Sequence, residues 1–179
     1  MYSQKDSISL QREARKLVRE GNKLYNQKKY ADATISYKKA LEKNSSYTKA
    51  TYNLGNSLFQ EKNFKEAIPQ YKILTENSED SFEKAEGYHN IGNAMMEEKN
   101  YQGAVDAYKN SLRKNPNDDE TRYNLAVAQK LLEKEKNKDK DKNKDKNKDK
   151  DKNKDKDKDK DKDKDKDKDK KEGDDKDKK

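Results

Sequence analysis

The chain has 179 residues and contains no cysteine, which excludes disulfide bonds and thiolate-bound metals. Charged residues make up 46% of the sequence, hydrophobic residues make up only 27%, and the formal net charge is +8. No apolar run approaches the roughly 20 residues that a transmembrane helix needs.

The charge is distributed unevenly along the chain. Residues 136–179 contain 22 Lys against 17 Asp and Glu, whereas residues 1–135 contain 23 Lys and Arg against 20 Asp and Glu. Most apolar residues lie between Leu10 and Leu132. The first 135 residues are therefore nearly neutral, and they are long enough to form one domain with a hydrophobic core.

The N-terminal residues 1–8 are predicted to be flexible and to precede a domain over residues 9–135. The opening sequence MYSQKDSISLQREARK lacks the apolar centre of a signal peptide. We therefore expect a cytoplasmic protein, or a periplasmic, envelope-associated one if a signal sequence precedes this start.

Three stretches of the domain resemble one another: YNQKKYADA, FQEKNFKEA and MEEKNYQGA, which begin at Tyr25, Phe59 and Met96. Each contains a large apolar residue, a polar turn with lysine, an aromatic residue and an alanine three residues later. A Gly-Asn pair precedes each stretch, and the glycines are 34 and 37 residues apart. The sequence therefore contains a repeat of about 34 residues with one insertion of three.

Each repeat is predicted to form two helices, because its apolar and small residues recur at helical spacing. The small residues let the two helices approach closely, and Tyr37, Tyr71 and Tyr108 are predicted to fill the space between repeats. A further helix begins with acidic residues, which suit a helix N-terminus, and then becomes rich in Lys and Glu, like the solvated cap of a repeat array. The sequence thus predicts an all-α solenoid of three helix-turn-helix repeats, at about 14–47, 48–84 and 85–117, with a capping helix at 118–135.

This pattern resembles the tetratricopeptide repeat (TPR), in which Leu-Gly, Ala, an aromatic residue and Pro recur at fixed offsets. The matching residues are Leu17, Gly21, Leu24, Ala33, Tyr37 and Ala40, then Leu54, Gly55, Leu58, Ala67 and Tyr71, and finally Tyr88, Gly92, Ala104, Tyr108 and Pro116. In that family the first helices line a concave groove that binds peptides. The resemblance implies a non-catalytic scaffold or adaptor that binds a protein or peptide partner.

Projection of the repeat register onto this sequence places asparagines and aromatic residues in the groove. The predicted peptide-binding residues are Asn22, Tyr52, Asn53, Asn56, His89, Asn90, Asn93, Tyr123 and Asn124. Each carboxamide offers a donor and an acceptor to the backbone of an extended peptide, and the aromatic neighbours would hold its side chains. The alternative is that the asparagines only solvate an exposed face. We favour the peptide groove because asparagine is a mediocre helix former.

A cytosolic co-chaperone-like protein is the second hypothesis, since chaperone-type TPR domains grip a C-terminal carboxylate. Asn22 and Asn53 match the two asparagines of that clamp. Val18, Glu86 and Asn90 stand where the clamp has cations, so a peptide carboxylate would lack its charge-assisted partners.

An enzyme is the third hypothesis, and the sequence gives it little support. His89 is the only histidine, and neither a Gly-rich phosphate loop nor an HExxH motif is present. We expect no catalytic residue, no metal site and no cofactor.

The segment from Ala85 to Glu135 carries a closer resemblance. Its runs GYHNIGN and KNPNDDETRYNLA, followed by a charged low-complexity tail, are similar to the TPR component of the aerotolerance (Bat) operons of Bacteroidetes-type and spirochaete-type bacteria. That resemblance implies an envelope-associated scaffold in stress tolerance. Its partners would be von Willebrand A-type proteins and a MoxR-type ATPase.

Residues 136–179 consist mostly of alternating Lys and Asp. They offer no apolar side chain to bury, and in a helix they would place like charges four residues apart, so a disordered tail is predicted. Most lysines have an aspartate neighbour that competes with phosphate, so we expect no nucleic-acid partner. A spacer or solubilising segment is the favoured role, and a basic anchor to an anionic membrane is the alternative.

Overall fold

Seven helices and no strand make up residues 4–138, the part of the chain that the computed structural model describes. The helices are α1 (Gln4–Asn26), α2 (Tyr30–Lys43), α3 (Thr48–Gln60), α4 (Phe64–Asn77), α5 (Ser81–Glu97), α6 (Tyr101–Lys114) and α7 (119–138). From α1 to α6, each helix packs against the next one along the chain, and α1 also contacts α3. The predicted all-α solenoid is confirmed.

The ends of the chain differ from the expectation in one respect. Helix α1 begins at Gln4, so residues 4–8, which were predicted to be flexible, belong to the first helix. Asp6, in its first turn, suits the positive end of the helix dipole. The chain divides into two units, Met1–Leu132 and Glu133–Lys179. The predicted disordered tail lies outside the described residues, apart from 136–138 at the end of α7.

The core is built from small residues that alternate with large rings. Alanines at equivalent positions, such as Ala33, Ala67 and Ala104, are completely buried. Tyr37, Tyr71 and Tyr108 are among the largest fully buried side chains, each with about 1% of its surface exposed. Burying an aromatic ring of this size removes a large apolar area from water, so these tyrosines dominate the core energetically.

The turn within each repeat ends the first helix in the same way three times. Lys28, Lys62 and Lys99 have φ near +60°, a left-handed conformation that side chains other than glycine seldom adopt. In the second repeat, Lys62 N–H donates to Phe59 O at 2.9 Å and Asn63 N–H donates to Leu58 O at 2.9 Å. This is the Schellman arrangement, which satisfies the last carbonyls of the helix.

Helix α7 covers the end of the third repeat. Ala128 is fully buried, and together with Leu125 and Leu132 it packs on Ala104 and Val105 of α6. The predicted capping role is thereby confirmed.

Among the described helices, none combines the length and the apolar character that crossing a bilayer requires.

Candidate functional site

The first helices of the repeats carry a row of asparagines. Asn22 lies on α1, Asn53 and Asn56 on α3, Asn90 and Asn93 on α5, and Asn124 on α7, and each is at least partly exposed. We call the surface formed by these six residues the asparagine face. Helical spacing of three residues puts the two members from α3, and the two from α5, on one side of their helix.

One asparagine of each repeat holds the buried tyrosine of that repeat. The hydroxyl of Tyr37 donates to Asn22 Oδ1 at 2.8 Å, that of Tyr71 to Asn56 Oδ1 at 2.9 Å, and that of Tyr108 to Asn93 Oδ1 at 2.7 Å. Each tyrosine comes 15 residues after its asparagine. These bonds satisfy hydroxyl groups that burial would otherwise leave unpaired.

Two pairs of asparagines join neighbouring helices across this face. Asn53 Nδ2 donates to Asn22 Oδ1 at 2.9 Å, and Asn124 Nδ2 donates to Asn93 Oδ1 at 3.3 Å. Since the same Oδ1 atoms also accept from tyrosine, both of their lone pairs are used. Within the described residues, the N–H donors of Asn22 and Asn93 and the carbonyl oxygens of Asn53 and Asn124 have no hydrogen-bond partner.

The row is interrupted where the repeat is three residues longer. Within the described residues, Asn56 and Asn90 form no hydrogen bond to each other, unlike the equivalent pairs on either side. A cleft of about 250 Å³ opens between α3 and α5, lined by Thr48, Lys49, Tyr52, Asn53, Leu74, Glu83 and Glu86. A second cleft of about 250 Å³ is lined by Asn22, Tyr25, Asn26, Tyr37, Asn53 and Asn56. The structure therefore brings Asn22, Asn53 and Asn56 together at one cleft.

The two predicted groove tyrosines differ in how much of their rings they expose. Tyr123 is 71% exposed and is free to contact a partner. Tyr52 is partly buried and meets the ring of Tyr71 edge-on, with the ring centroids 6.4 Å apart. Tyr123 therefore presents an exposed ring to solvent, whereas Tyr52 contributes to the wall of the cleft between α3 and α5.

His89 joins the third repeat to α7. The hydroxyl of Thr121 donates to Asp118 Oδ2 at 2.6 Å, so it accepts from His89 Nδ1, which lies 2.6 Å away. His89 Nε2 lies 3.7 Å from a carboxylate oxygen of Glu120, and the His89 side chain is only 15% exposed. The predicted groove histidine is therefore held within the scaffold and presents little of its ring to the asparagine face.

One position that the register placed in the groove is buried instead. Val18 is only 6% exposed and belongs to the core. Tyr25 and Phe59 are partly buried and pack edge-on against Tyr30 and Phe64, with ring centroids 5.2 Å apart, across the turns of the first and second repeats. The spacing of these aromatic residues in the sequence is regular enough to suggest such pairs.

Within the described residues, no group of three or more His, Asp or Glu side chains is arranged to hold a metal ion. The asparagine face itself offers hydrogen-bonding groups, an exposed aromatic ring and charged side chains.

Comparison with known proteins assigns this repeat to a family. Profiles described as tetratricopeptide repeat match residues 18–81 and 85–118, which together exceed half of the chain. The chain is a tetratricopeptide repeat protein. A search of curated proteins finds no significant match.

Solved TPR structures share the fold. The first TPR of Spaghetti (RPAP3), bound to the HSP90 peptide SRMEEVD, has a TM-score of 0.63 and 23% identity over 68% of this chain and 94% of that chain. The Sgt2 TPR domain from Aspergillus fumigatus has a TM-score of 0.62 and 20% identity over 70% and 82%. The N-terminal domain of stress-induced protein-1 from C. elegans has a TM-score of 0.62 and 24% identity over 67% and 97%. At these identities the likeness establishes the fold of this TPR protein.

Proposed function

We propose that this TPR protein is a non-catalytic adaptor whose asparagine face binds an extended peptide segment of a partner protein. The observation that carries the proposal is that the two asparagines of each pair, Asn22–Asn53 and Asn93–Asn124, differ in which hydrogen-bonding groups they leave unused. In each pair one carboxamide retains N–H donors and its neighbour retains a carbonyl acceptor.

This division suits the backbone of an extended chain. A peptide unit presents one C=O and one N–H, and each asparagine pair can donate to the first and accept from the second. The scaffold fixes the orientation of Asn22 and Asn93, because their Oδ1 atoms are held by tyrosine hydroxyls. A fixed amide loses less side-chain entropy when it binds than a mobile one does.

The aromatic residues supply contacts to peptide side chains. Tyr123 is mostly exposed, and Tyr52 lines the cleft between α3 and α5 together with Leu74. Tyrosine is favourable in this role because it offers a large, rigid apolar area with few rotatable bonds. A related fold, the first TPR of Spaghetti (RPAP3), holds an HSP90 peptide, which supports peptide binding as the use of this scaffold.

A co-chaperone-like protein that grips an acidic C-terminus is the second candidate. It is favoured by Asn22 and Asn53, which face one cleft as the two clamp asparagines would. It is disfavoured at two of the clamp's cation positions, since Val18 is buried and Glu86 lines the other cleft. A carboxylate there would meet a like charge instead of a cation, so we place this function second.

Membership of an envelope-associated aerotolerance complex is a finer proposal about the partners. Association with von Willebrand A-type proteins and a MoxR-type ATPase in aerotolerance rests on the sequence resemblance alone. Co-purification of the full chain with such proteins, and its loss in an Asn53→Ala/Asn124→Ala variant, would support that proposal. Co-purification that the variant retains would place the contact elsewhere on the chain.

Peptide selection tests the proposed function. We would select random phage-displayed peptides on the full chain and measure the affinity of the enriched peptides by fluorescence anisotropy. Asn53→Ala/Asn124→Ala removes two free carbonyl acceptors without removing an acceptor of a buried tyrosine, so affinity should fall about tenfold or more. Asn110→Ala, on α6, is the matched control and should bind like the wild type. Failure to enrich any peptide, or equal affinities for both variants, would refute the proposal.

A further inference from the structure

Charged residues near the asparagine face change sign along the row of first helices. Arg15 and Arg19 lie on α1 and Lys49 lies on α3, whereas Glu86 lies on α5 and Glu120 lies on α7. The first two helices therefore contribute positive charge, and the last two contribute negative charge.

The structure places these charges on the face where the clefts open. Lys49 and Glu86 line the same cleft, between α3 and α5. Arg15 and Arg19 precede Asn22 by seven and three residues, so they share its side of α1. Glu120 precedes Asn124 by four residues, so the two residues share one side of α7.

These charges are available to a partner. Within the described residues, Arg15, Arg19, Lys49 and Glu86 form no ion pair; the ion pairs there involve Lys38, Lys43, His89 and Arg122 as the basic partners. Glu120 lies 3.7 Å from His89 Nε2, and its side chain is 77% exposed, so a partner can still reach the carboxylate.

The buried tyrosines of the second and third repeats differ in the carboxylates near them. Burial raises the pKa of Tyr108, and the nearby carboxylates of Glu120 and Glu97 raise that pKa further. Burial also raises the pKa of Tyr71, where the additional contributions come from Tyr52 and Tyr25 and none comes from a carboxylate. Negative charge is thus concentrated beside the third repeat and α7.

We propose that this polarity selects the peptide: the preferred ligand is an extended segment with acidic residues at one end and basic residues at the other. The acidic end lies over α1 and α3, and the basic end lies over α5 and α7. The inference rests on the proposed function, because it names the class of peptide that the same face binds. Complementary potentials of this kind contribute specificity and suppress partners of the wrong charge.

The dimensions of the face set the length of the segment. Packed helices lie about 8–10 Å apart, so the four first helices extend over roughly 25–30 Å. An extended peptide rises about 3.3 Å per residue, so about eight or nine residues reach from the positive to the negative end. A uniformly acidic peptide of that length would place carboxylates beside Glu86 and Glu120.

The test uses three synthetic peptides of about nine residues with blocked termini and a central Leu-Tyr-Leu. One has an acidic block at one end and a basic block at the other, one is acidic at both ends, and one is basic at both ends. Fluorescence anisotropy with the full chain at low salt should show that the mixed-block peptide binds about tenfold more tightly than either uniform peptide. The preference should shrink as salt screens the charges.

Charge-reversal variants locate the preference on the asparagine face. Glu86→Lys/Glu120→Lys makes the face uniformly positive, so the all-acidic peptide should become the tightest ligand. Arg15→Glu/Arg19→Glu should shift the preference toward the all-basic peptide. Glu42→Lys/Glu76→Lys, at exposed positions on α2 and α4, changes the net charge as the first variant does and should keep the wild-type preference. Circular dichroism at 222 nm confirms that each variant is folded.

The outcomes separate this inference from the proposed function. If library-selected peptides bind, but the wild type does not prefer the mixed-block peptide or the reversals do not change the preference, the polarity inference is refuted and the proposed function stands. If neither library peptides nor designed peptides bind, the proposed function fails, and this inference fails with it.

Discussion

The hydroxyl of Tyr71 donates to Asn56 Oδ1 at 2.9 Å, so a ring buried in the core is fastened to a residue of the asparagine face. The same relationship joins Asn22 to Tyr37 and Asn93 to Tyr108. Each of these asparagines directly follows the glycine of its repeat. The Gly-Asn pair therefore serves the scaffold twice, since the glycine leaves room for the ring and the asparagine binds its hydroxyl.

Replacement of Gly55 by alanine is expected to destabilise the domain. A Cβ at this position would lie 2.7 Å from Tyr71 Cε1, and the ring cannot easily yield because it is buried and its hydroxyl is bound. Overpacking of this kind costs about 1–3 kcal/mol and outweighs the helix propensity of alanine, which is about 1 kcal/mol better than that of glycine. Thermal unfolding followed at 222 nm measures the net effect. A double-mutant cycle with Tyr71→Leu should remove most of the penalty, and an unchanged penalty would show that the ring is not its cause.

Asn56 and Asn53 lie on the same face, yet their replacement is expected to have different effects. Asn56→Ala leaves the hydroxyl of Tyr71 without its acceptor and should cost about 1–3 kcal/mol. Asn53→Ala removes a donor to Asn22 at the surface and should change stability by no more than about 0.5 kcal/mol. Urea unfolding of the two variants side by side tests the difference. Equal losses of stability would mean that the hydrogen bond from Tyr71 to Asn56 does not stabilise the domain more than the surface bond from Asn53 does.

The sequence predicted the helices and their pairing well because the repeat supplied three copies of each signal. Apolar and small residues at helical spacing predicted the first and second helices, and the polar segments with lysine marked the turns. The tyrosines were expected between repeats, but a Cβ at Gly55 would collide with the Tyr71 ring, which places that ring against its own repeat. Spacing alone shows that two positions lie on facing helices, but it does not show which neighbour a ring packs against.

The candidate site was predicted less completely, because its hydrogen bonds depend on distances that a register cannot give. The sequence placed Asn22 and Asn53 on one surface, and the structure agrees. It could not show that Asn22 uses both Oδ1 lone pairs within the scaffold, or that His89 is bound to Thr121. Whether these residues bind a peptide remains a prediction.

Lysine in the left-handed position of each turn is expected to limit stability. Lys62 has φ of 60°, a conformation that glycine adopts without the steric cost that a Cβ imposes. Lys62→Gly should therefore stabilise the domain by roughly 0.5–1 kcal/mol, which corresponds to a rise in Tm of about 2–4 °C. Lys72→Gly, at an exposed position in the middle of α4, is the control and should lower Tm, because glycine is unfavourable within a helix. A lower Tm for Lys62→Gly would contradict this explanation.

Asp118 at the start of α7 is expected to make the stability of the cap depend on acid pH. Burial acts to raise its pKa, but hydrogen bonds from the hydroxyl and the N–H of Thr121 outweigh that effect, so the pKa of Asp118 lies below its ordinary value. A carboxyl with a lowered pKa stabilises the fold above the pKa of the unfolded state, and that contribution is lost as the pH falls through the folded pKa. Asp118→Ala should cost about 1 kcal/mol at pH 7, as the loss of a helix N-cap does, and the difference from wild type should shrink toward zero in acid as the carboxyl is protonated. Hydrogen exchange of the α7 amides at pH 7, and unfolding at pH 7 and in acid, test this, and a difference that persists in acid would contradict it.

Tyr37 is expected to contribute to alkaline unfolding. Burial, with a smaller contribution from Tyr25, raises the pKa of Tyr37 to about 12. A group whose pKa is raised in the folded state stabilises that state fully below its unfolded pKa, about 10 for tyrosine, and the contribution is lost as the pH rises toward 12. The free energy of unfolding should therefore fall between pH 10 and 12, by on the order of 1 kcal/mol per pH unit for each such tyrosine. Tyr37→Phe removes one ionising group, so the free energy of unfolding of this variant should decline less steeply over this range. The variant also loses the hydrogen bond to Asn22, so its free energy of unfolding at pH 7 should be lower than that of the wild type. Urea unfolding at intervals from pH 9 to 12 measures the free energy of unfolding, and absorbance at 295 nm measures the ionisation of tyrosine. Free energies that decline in parallel for the two proteins would show that Tyr37 does not ionise on unfolding.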